Sequence, residues 1–278
     1  MNLIDVRHLG RERVIGCWEL DGVLIDPGPT SSVENLVEEL GGEAPRALLL
    51  THIHLDHAGA SGTLVRRWPE LPVYVHELGA AHLADPSRLL ASAERLYGDR
   101  METLWGEVAP VPEGNLHPLS GGEEVLGFRV AYTPGHASHH VSYFDPGSGR
   151  AFVGDTAAVR IPPSDLVMPP TPPPDIDVES WEESMARILE WGPESLGLTH
   201  FGAVDDPEAH LETVRERLRE QADLARRSSA EEFEVMIRER VGAEADAATA
   251  EALIQAVPPE QQWAGLDRYW KKRSDCAS

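Results

Sequence analysis

The sequence predicts an α/β fold of layered sheets and helices, followed by a region of helices alone. Through residues 1–204, short apolar segments alternate with amphipathic helical patterns, which is typical of strands flanked by helices. From Pro207 onward only the helical periodicity remains. We therefore predict two domains, residues 1–204 and a C-terminal helical extension at residues 205–278 that packs on the first.

The first half of the α/β region contains strand patterns and helix patterns in turn. Strands are predicted at Val23–Ile25, Ala47–Leu50 and Val73–Val75, and helices at residues 31–41 and 58–68. Ser31 and Glu34 match a capping box, which predicts that the first helix begins there. For residues 77–118 the pattern predicts helices and loops but does not define where each helix begins and ends.

The second half of the α/β region returns to strands. They are predicted at residues 128–130, 141–144, 151–153 and 195–199. Ser180 and Glu183 match a second capping box and predict the start of a helix. Ile161 to Asp175 is rich in proline, which predicts a stiff extended loop that cannot be an internal strand and that forms a pocket wall.

The C-terminal extension predicts helices around Leu211–Leu218, Phe233–Ile237 and Ala247–Val257. Ser229 and Glu232 match a capping box for the second of them. Lys271-Lys272-Arg273 is predicted to lie in a mobile tail. The helices either pack on their own domain, cap a pocket or form a dimer contact, and simple packing is the usual role of an amphipathic helix.

Composition limits the class of partner and the compartment. The formal net charge is −23 and the basic residues are scattered, so a nucleic acid would meet a repulsive field. No signal peptide and no membrane-spanning apolar run is visible. The two cysteines exclude a disulfide framework and suit a reducing cytoplasm. We expect a cytoplasmic protein with a small-molecule substrate and no nucleic-acid or membrane partner. Both a monomer and a homodimer are compatible with the sequence.

The segment Thr51-His52-Ile53-His54-Leu55-Asp56-His57 follows directly after a predicted buried strand. His52 and His54 project on the same side, because strand side chains repeat every two residues. Asp56 and His57 follow as the chain turns, and burying such a cluster without partners would cost several kcal/mol. The cluster therefore predicts a metal site with nitrogen and oxygen ligands.

This H-x-H-x-D-H segment resembles the signature of the metallo-β-lactamase superfamily, whose members are αββα sandwiches with metals at one edge. Three further motifs match that family in order, each after a predicted strand: Thr133-Pro134-Gly135-His136, Phe152-Val153-Gly154-Asp155 and Leu198-Thr199-His200. The resemblance covers residues 1 to about 204. It implies an αββα sandwich of the metallo-β-lactamase type with a C-terminal helical appendage.

The resemblance also implies the roles of the ligands. His52, His54 and His136 would hold one metal ion, Asp56, His57 and His200 a second, and Asp155 would bridge the two. Two divalent ions are expected, with Zn²⁺ the best match to nitrogen and carboxylate ligands and Fe or Mn also compatible. Asp56 and Asp155 are the predicted catalytic carboxylates, and Asp56 would orient the nucleophile or take its proton.

Five more residues are candidates for the surroundings of the metals. Asp26 resembles a family position near the metals and is predicted to orient a ligand histidine, or else to cap a turn. Either His139 or His140 is predicted to face the pocket, and the alternation of the following strand then directs the other away. The sequence is equally consistent with a second arrangement, in which one of the two is packed in the core and the other is exposed to solvent. Tyr97 or Tyr143 is a candidate oxyanion donor.

The resemblance implies a metal-dependent hydrolase that attacks a carbonyl of a small-molecule ester, lactone or thioester. The glyoxalase II-like and lactonase-like branches are both similar, and the chain looks most like the general, uncharacterised members. A mononuclear-iron persulfide dioxygenase that uses His52, His136 and Asp155 is the alternative on the same fold. A metal-binding module without catalysis is less consistent with this sequence, because a module of that kind would be expected to have lost some ligands. Here every ligand position of the family motifs is occupied by a histidine or an aspartate.

Overall fold

The computed structural model describes residues 1–276, and the last two residues of the chain lie outside that description. The chain divides into two compact units. Met1–Tyr132 and His139–Pro146 form the first unit, and Thr133–Ser138 and Gly147–Ser278 form the second. The domain boundary that we place near residue 204 stays a prediction. Within residues 1–276, no helix combines the length and the apolar character needed to cross a membrane.

The strands of the first unit are β1 (Asn2–Asp5), β2 (Gly16–Leu20), β3 (Val23–Ile25), β4 (Ala47–Leu49), β5 (Val73–His76), β6 (Leu116–Leu119), β7 (Glu124–Val125), β8 (Phe128–Tyr132) and β9 (Val141–Asp145). β1 to β6 lie side by side in chain order. β1, β2 and β3 are antiparallel neighbours, whereas β3 to β6 run parallel. β7, β8 and β9 form an antiparallel ladder.

The predicted strands β3 and β4 are confirmed, and every residue in both is buried. A strand covered on both faces requires apolar side chains at each position, which explains the unbroken apolar runs in the sequence. Because β3 and β4 are parallel, the residues that follow them leave the sheet at the same edge. This edge receives Asp26 after β3 and the histidine-rich segment after β4.

The helices of the first unit are α1 (Val33–Glu39), α2 (Leu55–Ala58), α3 (Ser61–Arg67), α4 (Glu77–Ala84), α5 (Ser87–Tyr97) and α6 (Met101–Trp105). The predicted capping box at Ser31 and Glu34 is wrong. A single turn of 3-10 helix, Thr30–Ser32, precedes α1, and the Ser31 hydroxyl instead donates to the carbonyl oxygen of Leu104 at 2.6 Å. A tertiary contact therefore takes the group that the local pattern assigned to the cap.

The strands of the second unit are β10 (Arg150–Phe152), β11 (Val159–Arg160), β12 (Val167–Met168), β13 (Ser195–Leu198) and β14 (Gly202–Val204). β10 and β13 are parallel, and β13 and β14 are antiparallel. β11 and β12 form a separate antiparallel pair, so the proline-rich stretch contains one short strand at its centre. The rest of that stretch has no regular structure and includes a turn at Pro162-Pro163 and a bend at Pro173-Pro174, so the predicted extended loop is interrupted.

The helices of the second unit are α7 (Val178–Leu189), α8 (Pro207–Arg227), α9 (Ala230–Glu244), α10 (Ala247–Ala256) and α11 (Pro259–Cys276). The capping box of Ser229 and Glu232 is confirmed at the start of α9. The predicted cap at Ser180 is wrong, because the Asp177 side chain accepts from the Ser180 backbone N–H at 2.8 Å and caps α7 from three residues earlier.

The last helix, α11, corrects the prediction of a mobile tail. Lys271 and Arg273 lie within this helix, where Lys271 pairs with Asp267 at 2.6 Å and Arg273 pairs with Glu179 at 2.8 Å. The helical spacing of apolar residues is hard to detect in this part of the sequence, because charged residues interrupt the apolar stripe of the helix. Its buried residues, Leu266 and Tyr269 among them, lie on one face.

Candidate metal centre

The histidine-rich segment begins where β4 ends and is completed by the first turn of α2. Thr51 and His52 follow the strand after Leu50 and are fully buried, whereas His54 is half-buried and serves as the N-cap residue of α2. Asp56 and His57 lie in the first turn of the helix. The chain thus turns sharply after a buried strand and presents four donor side chains within six positions.

His52 and His54 direct one ring nitrogen each toward the other. The distance from His52 Nε2 to His54 Nδ1 is 3.0 Å, and the two rings meet edge to face. The His57 ring also lies against His52, with 4.0 Å between ring centroids. Three imidazoles therefore crowd one small volume of the first unit.

Asp26 controls the orientation of this cluster. It lies just after β3 in the left-handed region with φ of 54°, and its carboxylate is fully buried. One oxygen accepts from the Thr51 backbone N–H at 2.8 Å. The other accepts from the Thr51 hydroxyl at 2.7 Å and from His57 Nδ1 at 2.8 Å. Asp26 thus contacts His57, one of the predicted ligands, and its role in orienting a metal ligand stays a prediction.

These bonds determine which nitrogen of each ring carries its proton. A carboxylate only accepts, so His57 donates from Nδ1 and keeps a lone pair on Nε2. The Thr51 hydroxyl has one hydrogen and donates it to Asp26, so it must accept from His52 Nδ1, which lies 3.1 Å away. His52 therefore also keeps its lone pair on Nε2, the nitrogen that faces His54.

Asp56 stands beside this cluster with its carboxylate partly open to solvent. Its Oδ2 lies 3.9 Å from His57 Nε2, and its side chain is 22% exposed. A donor atom of Asp56 and one of His57 lie within 4.8 Å, which is close enough for both to hold one ion. A partly exposed carboxylate can exchange protons with water, as a catalytic base must.

His139 and His140 both lie close to His52. The His140 ring stacks on that of His52 with 5.0 Å between centroids, and the His139 ring lies at 6.2 Å. Strand alternation does not separate them, because both residues precede β9. The backbone N–H of Val141, the first residue of β9, donates to the Thr51 carbonyl at 2.8 Å and holds this segment beside the cluster.

The two candidate tyrosines occupy apolar surroundings. The Tyr143 hydroxyl is buried and donates to the Leu50 carbonyl at 2.8 Å, and burial raises the pKa of Tyr143 well above its usual value. Tyr97 packs edge-on against Trp105, with 5.1 Å between centroids, in a cluster that includes Leu55. A role for either as oxyanion donor stays a prediction, and the bond to Leu50 weighs against Tyr143.

In the second unit, His136 follows a turn that only glycine can make. Gly135 has φ of 133°, and a Cβ at this position would lie 2.3 Å from the Cα of Trp181. The His136 ring lies edge-on to Trp181, and its Nδ1 donates to the Pro170 carbonyl at 2.8 Å. A carbonyl can only accept, so Nδ1 of His136 carries a proton and Nε2 is the nitrogen that would coordinate a metal ion.

Asp155 lies between two histidines of the second unit. It follows β10, and its Oδ2 lies 3.3 Å from His136 Nε2 while its Oδ1 lies 3.6 Å from His200 Nε2. All three side chains are buried. His200 follows β13, and its carbonyl accepts from the Arg160 backbone N–H at 2.7 Å.

The donor set fits transition-metal ions. His52, His57 and His136 each tie one ring nitrogen to an acceptor of the protein, which is how ligand histidines are held in metal sites. The separations around Asp155 exceed the 2.7–2.9 Å that is usual for charge-assisted hydrogen bonds. Within the second unit the nitrogen and oxygen atoms around Asp155 are spaced more widely than in a hydrogen-bonded ion pair, and imidazole with carboxylate suits Zn²⁺, Fe or Mn.

Comparison with protein families gives one broad match. The profile described as "Metallo-beta-lactamase superfamily" matches residues 19–192. The metallo-beta-lactamase fold-containing protein ST1585 of Sulfurisphaera tokodaii is 31% identical over 209 residues, which is 71% of this chain and 76% of that protein. A hydroxyacylglutathione hydrolase of Legionella pneumophila is 29% identical over 50% of this chain. The match spans only 44% of that enzyme's length.

Solved structures share the fold. The crystal structure of ST1585 superimposes with a TM-score of 0.72 at 24% identity, covering 96% of this chain and 97% of that one. The protein TTHA1623, solved in a di-iron-bound form, has a TM-score of 0.51 at 29% identity, covering 69% of this chain and 89% of its own. These matches confirm the predicted fold class, an αββα sandwich with a C-terminal helical region.

Proposed function

Because the chain belongs to the metallo-beta-lactamase superfamily, we propose that it is a metal-dependent hydrolase that cleaves a small-molecule ester, lactone or thioester. Its similarity to proteins named hydroxyacylglutathione hydrolase supports hydrolysis. The observation that carries the proposal is the orientation of the imidazoles. Asp26, Thr51 and the Pro170 carbonyl each lie within hydrogen-bond distance of Nδ1 of a buried histidine, so that in each ring Nε2 is the nitrogen that would coordinate a cation.

We propose that seven side chains share two ions. His52, His54 and His136 would hold the first ion, Asp56, His57 and His200 the second, and Asp155 would bridge them. The position of Asp155 supports its bridging role, because each carboxylate oxygen faces a different histidine. Zn²⁺ is the favoured ion. Iron is the alternative, because the similar protein TTHA1623 was solved in a di-iron-bound form.

When bound, a pair of such ions supplies Lewis acidity, which lowers the pKa of water and stabilises negative charge on a carbonyl oxygen. The chain contributes position and proton transfer. Asp56 is the partly exposed carboxylate and would take the proton from the attacking water. Asp26 and Thr51 hold His52 and His57 so that neither ring turns when charge changes nearby.

The basic residues of α11 do not favour one substrate class. Lys271 and Arg273 are engaged with Asp267 and Glu179 on the surface of the second unit. An anionic substrate group would have to compete with these carboxylates. The proposal therefore keeps esters, lactones and thioesters as three classes to be tested.

The decisive experiment combines metal analysis with an activity panel. Protein purified without added metal is assayed for bound ions, for hydrolysis of an ester, a lactone and a thioester, and for O₂ uptake with glutathione persulfide. The proposal expects two equivalents of metal and carbonyl hydrolysis. One iron with thiol-dependent O₂ uptake would refute it and support a persulfide dioxygenase.

A single variant tests the ligand assignment. Asp155→Ala removes the proposed bridge, so we expect bound metal and hydrolysis to be lost together. The matched control is Asp165→Ala, which changes an exposed aspartate paired with Arg160 on the protein surface. Full activity in Asp155→Ala would show that the ligand assignment is wrong.

We further propose a small-molecule substrate and a cytoplasmic location. The charge of −23 disfavours nucleic acid, and the two cysteines suit a reducing compartment. Whether the chain forms a homodimer is tested by light scattering on the purified protein. Tight binding of an oligonucleotide at physiological salt would contradict the proposed class of partner.

A further inference from the structure

His136 depends on a backbone carbonyl that no regular element holds. Its Nδ1 donates to Pro170, which lies between the end of β12 at Met168 and the start of α7 at Val178. A proline-rich segment cannot fix itself through a ladder of backbone hydrogen bonds, because proline has no N–H. The carbonyl that orients His136 must therefore be held from outside the segment.

Two buried glutamines of the C-terminal helices hold the residues on either side of Pro170. Gln221 of α8 donates to the Pro169 carbonyl at 3.1 Å. Gln262 of α11 accepts from the Thr171 backbone N–H at 2.5 Å and from the Thr171 hydroxyl at 2.9 Å. Gln221 also donates toward the Thr171 hydroxyl and Gln262 Oε1, at 3.1 and 3.2 Å. We call Gln221, Gln262 and Thr171 the glutamine clamp.

The orientation of both amides is determined by their partners. The Pro169 carbonyl only accepts, so Gln221 must present its NH₂ group, and the Thr171 N–H only donates, so Gln262 must present its oxygen. The three side chains are at most 4% exposed. A buried network of this kind keeps its geometry because a broken bond leaves a polar group without water.

The backbone of α11 lies directly on the same segment. A Cβ at Gly265 would lie 2.1 Å from the Thr171 carbonyl oxygen, so the helix can approach this closely only because the residue is glycine. The clamp and this contact leave Pro170 little freedom to move. The Pro170 carbonyl is therefore presented to His136 by the C-terminal helices.

We propose that Gln221 and Gln262 are positioning residues for His136. Through Pro169 and Thr171 they hold the Pro170 carbonyl, which accepts from Nδ1–H of His136 and so fixes the orientation of the ring, with Nε2 facing Asp155. The proposal rests on the proposed function for its consequence in metal binding, but the state of the His136 ring can be measured without metal. It assigns the C-terminal helices a role beyond simple packing.

The test compares Gln221→Met and Gln262→Met with the wild type. Methionine keeps the length and burial of glutamine but removes its hydrogen bonds. In the metal-free protein, ¹H–¹⁵N NMR of the histidine rings is expected to show a slowly exchanging, hydrogen-bonded Nδ1–H of His136 in the wild type and loss of that signal in the variants. The dissociation constant for Zn²⁺, from chelator competition, is expected to rise about three- to tenfold, below the 10–100-fold typical of a direct partner of a ligand.

Two further variants separate the clamp from general stability. Gln262→Glu keeps an oxygen facing Thr171 and should retain the hydrogen-bonded Nδ1–H of His136, which Gln262→Met should lose. Trp270→Phe removes a bond from α11 to the Ala222 carbonyl of α8, 2.8 Å long, and should leave His136 unchanged.

The results distinguish this proposal from the proposed function. If both methionine variants keep the wild-type His136 spectrum and Zn²⁺ affinity, the clamp is refuted. It is also refuted if Trp270→Phe shifts His136 as much as they do, since loosened helix packing would then be the cause. If the wild type binds no metal while the variants still lose the hydrogen-bonded Nδ1–H of His136, the clamp stands and the proposed function fails.

Discussion

Asp26→Asn is the sharpest test of how the first unit prepares its histidines. The carboxylate accepts three hydrogen bonds, two from Thr51 and one from His57. Asparagine offers one oxygen and an NH₂ group, so in either orientation at least one of these donors faces another donor. Asparagine tolerates the left-handed backbone at this position, where φ is 54°, so the substitution changes the hydrogen bonds with little backbone strain.

The expected magnitude follows from the bonds that are lost. A hydrogen bond to a charged group contributes about 1.5–3 kcal/mol, so the free energy of unfolding of the metal-free protein should fall by about that amount. His57 also loses the partner that holds its proton on Nδ1, and His52 loses the same control through Thr51. We expect the dissociation constant for Zn²⁺ to rise about 10–100-fold, as for other partners of ligand histidines.

Chelator competition measures the affinity, and urea unfolding of the metal-free protein measures the stability. Asp21→Asn is the matched control, because Asp21 also has a positive φ, of 49°, but is exposed on a turn. It should match the wild type in both assays. A Zn²⁺ affinity of Asp26→Asn within twofold of the wild type would refute the reasoning, even if stability falls, since Asp26 would then support only the backbone of Thr51.

Three other changes test the surrounding structure. Gly135→Ala forces a Cβ against the Trp181 backbone and should lower the free energy of unfolding by about 3 kcal/mol or more in urea titrations. Gly114→Ala, where a Cβ would meet open space, should leave that free energy unchanged. Equal effects of the two changes would contradict the packing argument. Tyr143→Phe should cost about 1–3 kcal/mol of stability and leave kcat unchanged, and a large fall in kcat would instead support an oxyanion role. Burial lowers the pKa of His210, so its contribution to stability is present above about pH 6.5, the unfolded value, and is lost as pH falls through the folded pKa. His210→Gln should flatten this acid-side loss in unfolding curves, and an unchanged slope would show that other groups cause it.

The central strands and the order of the histidine and aspartate motifs were predictable because they depend on local patterns. β3 and β4 are buried on both faces, so each is an unbroken apolar run that needs no tertiary information to detect. The polar residues that follow them stand out for the same reason. Helix starts were less predictable: Ser31 donates to Leu104, a residue distant in sequence, and Asp177 displaces Ser180 as the cap of α7.

The sequence by itself determined the fold class, the donor types and the absence of any thiolate among the candidate ligands. These are properties of residue identity and short-range spacing, and they do not change with the path of the chain. Which nitrogen of His52, His57 and His136 bonds to the protein was decided only by tertiary structure. Asp26 lies 31 residues from His57, and Pro170 lies 34 residues from His136. No local pattern links such partners, and Gln221 and Gln262 act from still farther along the chain.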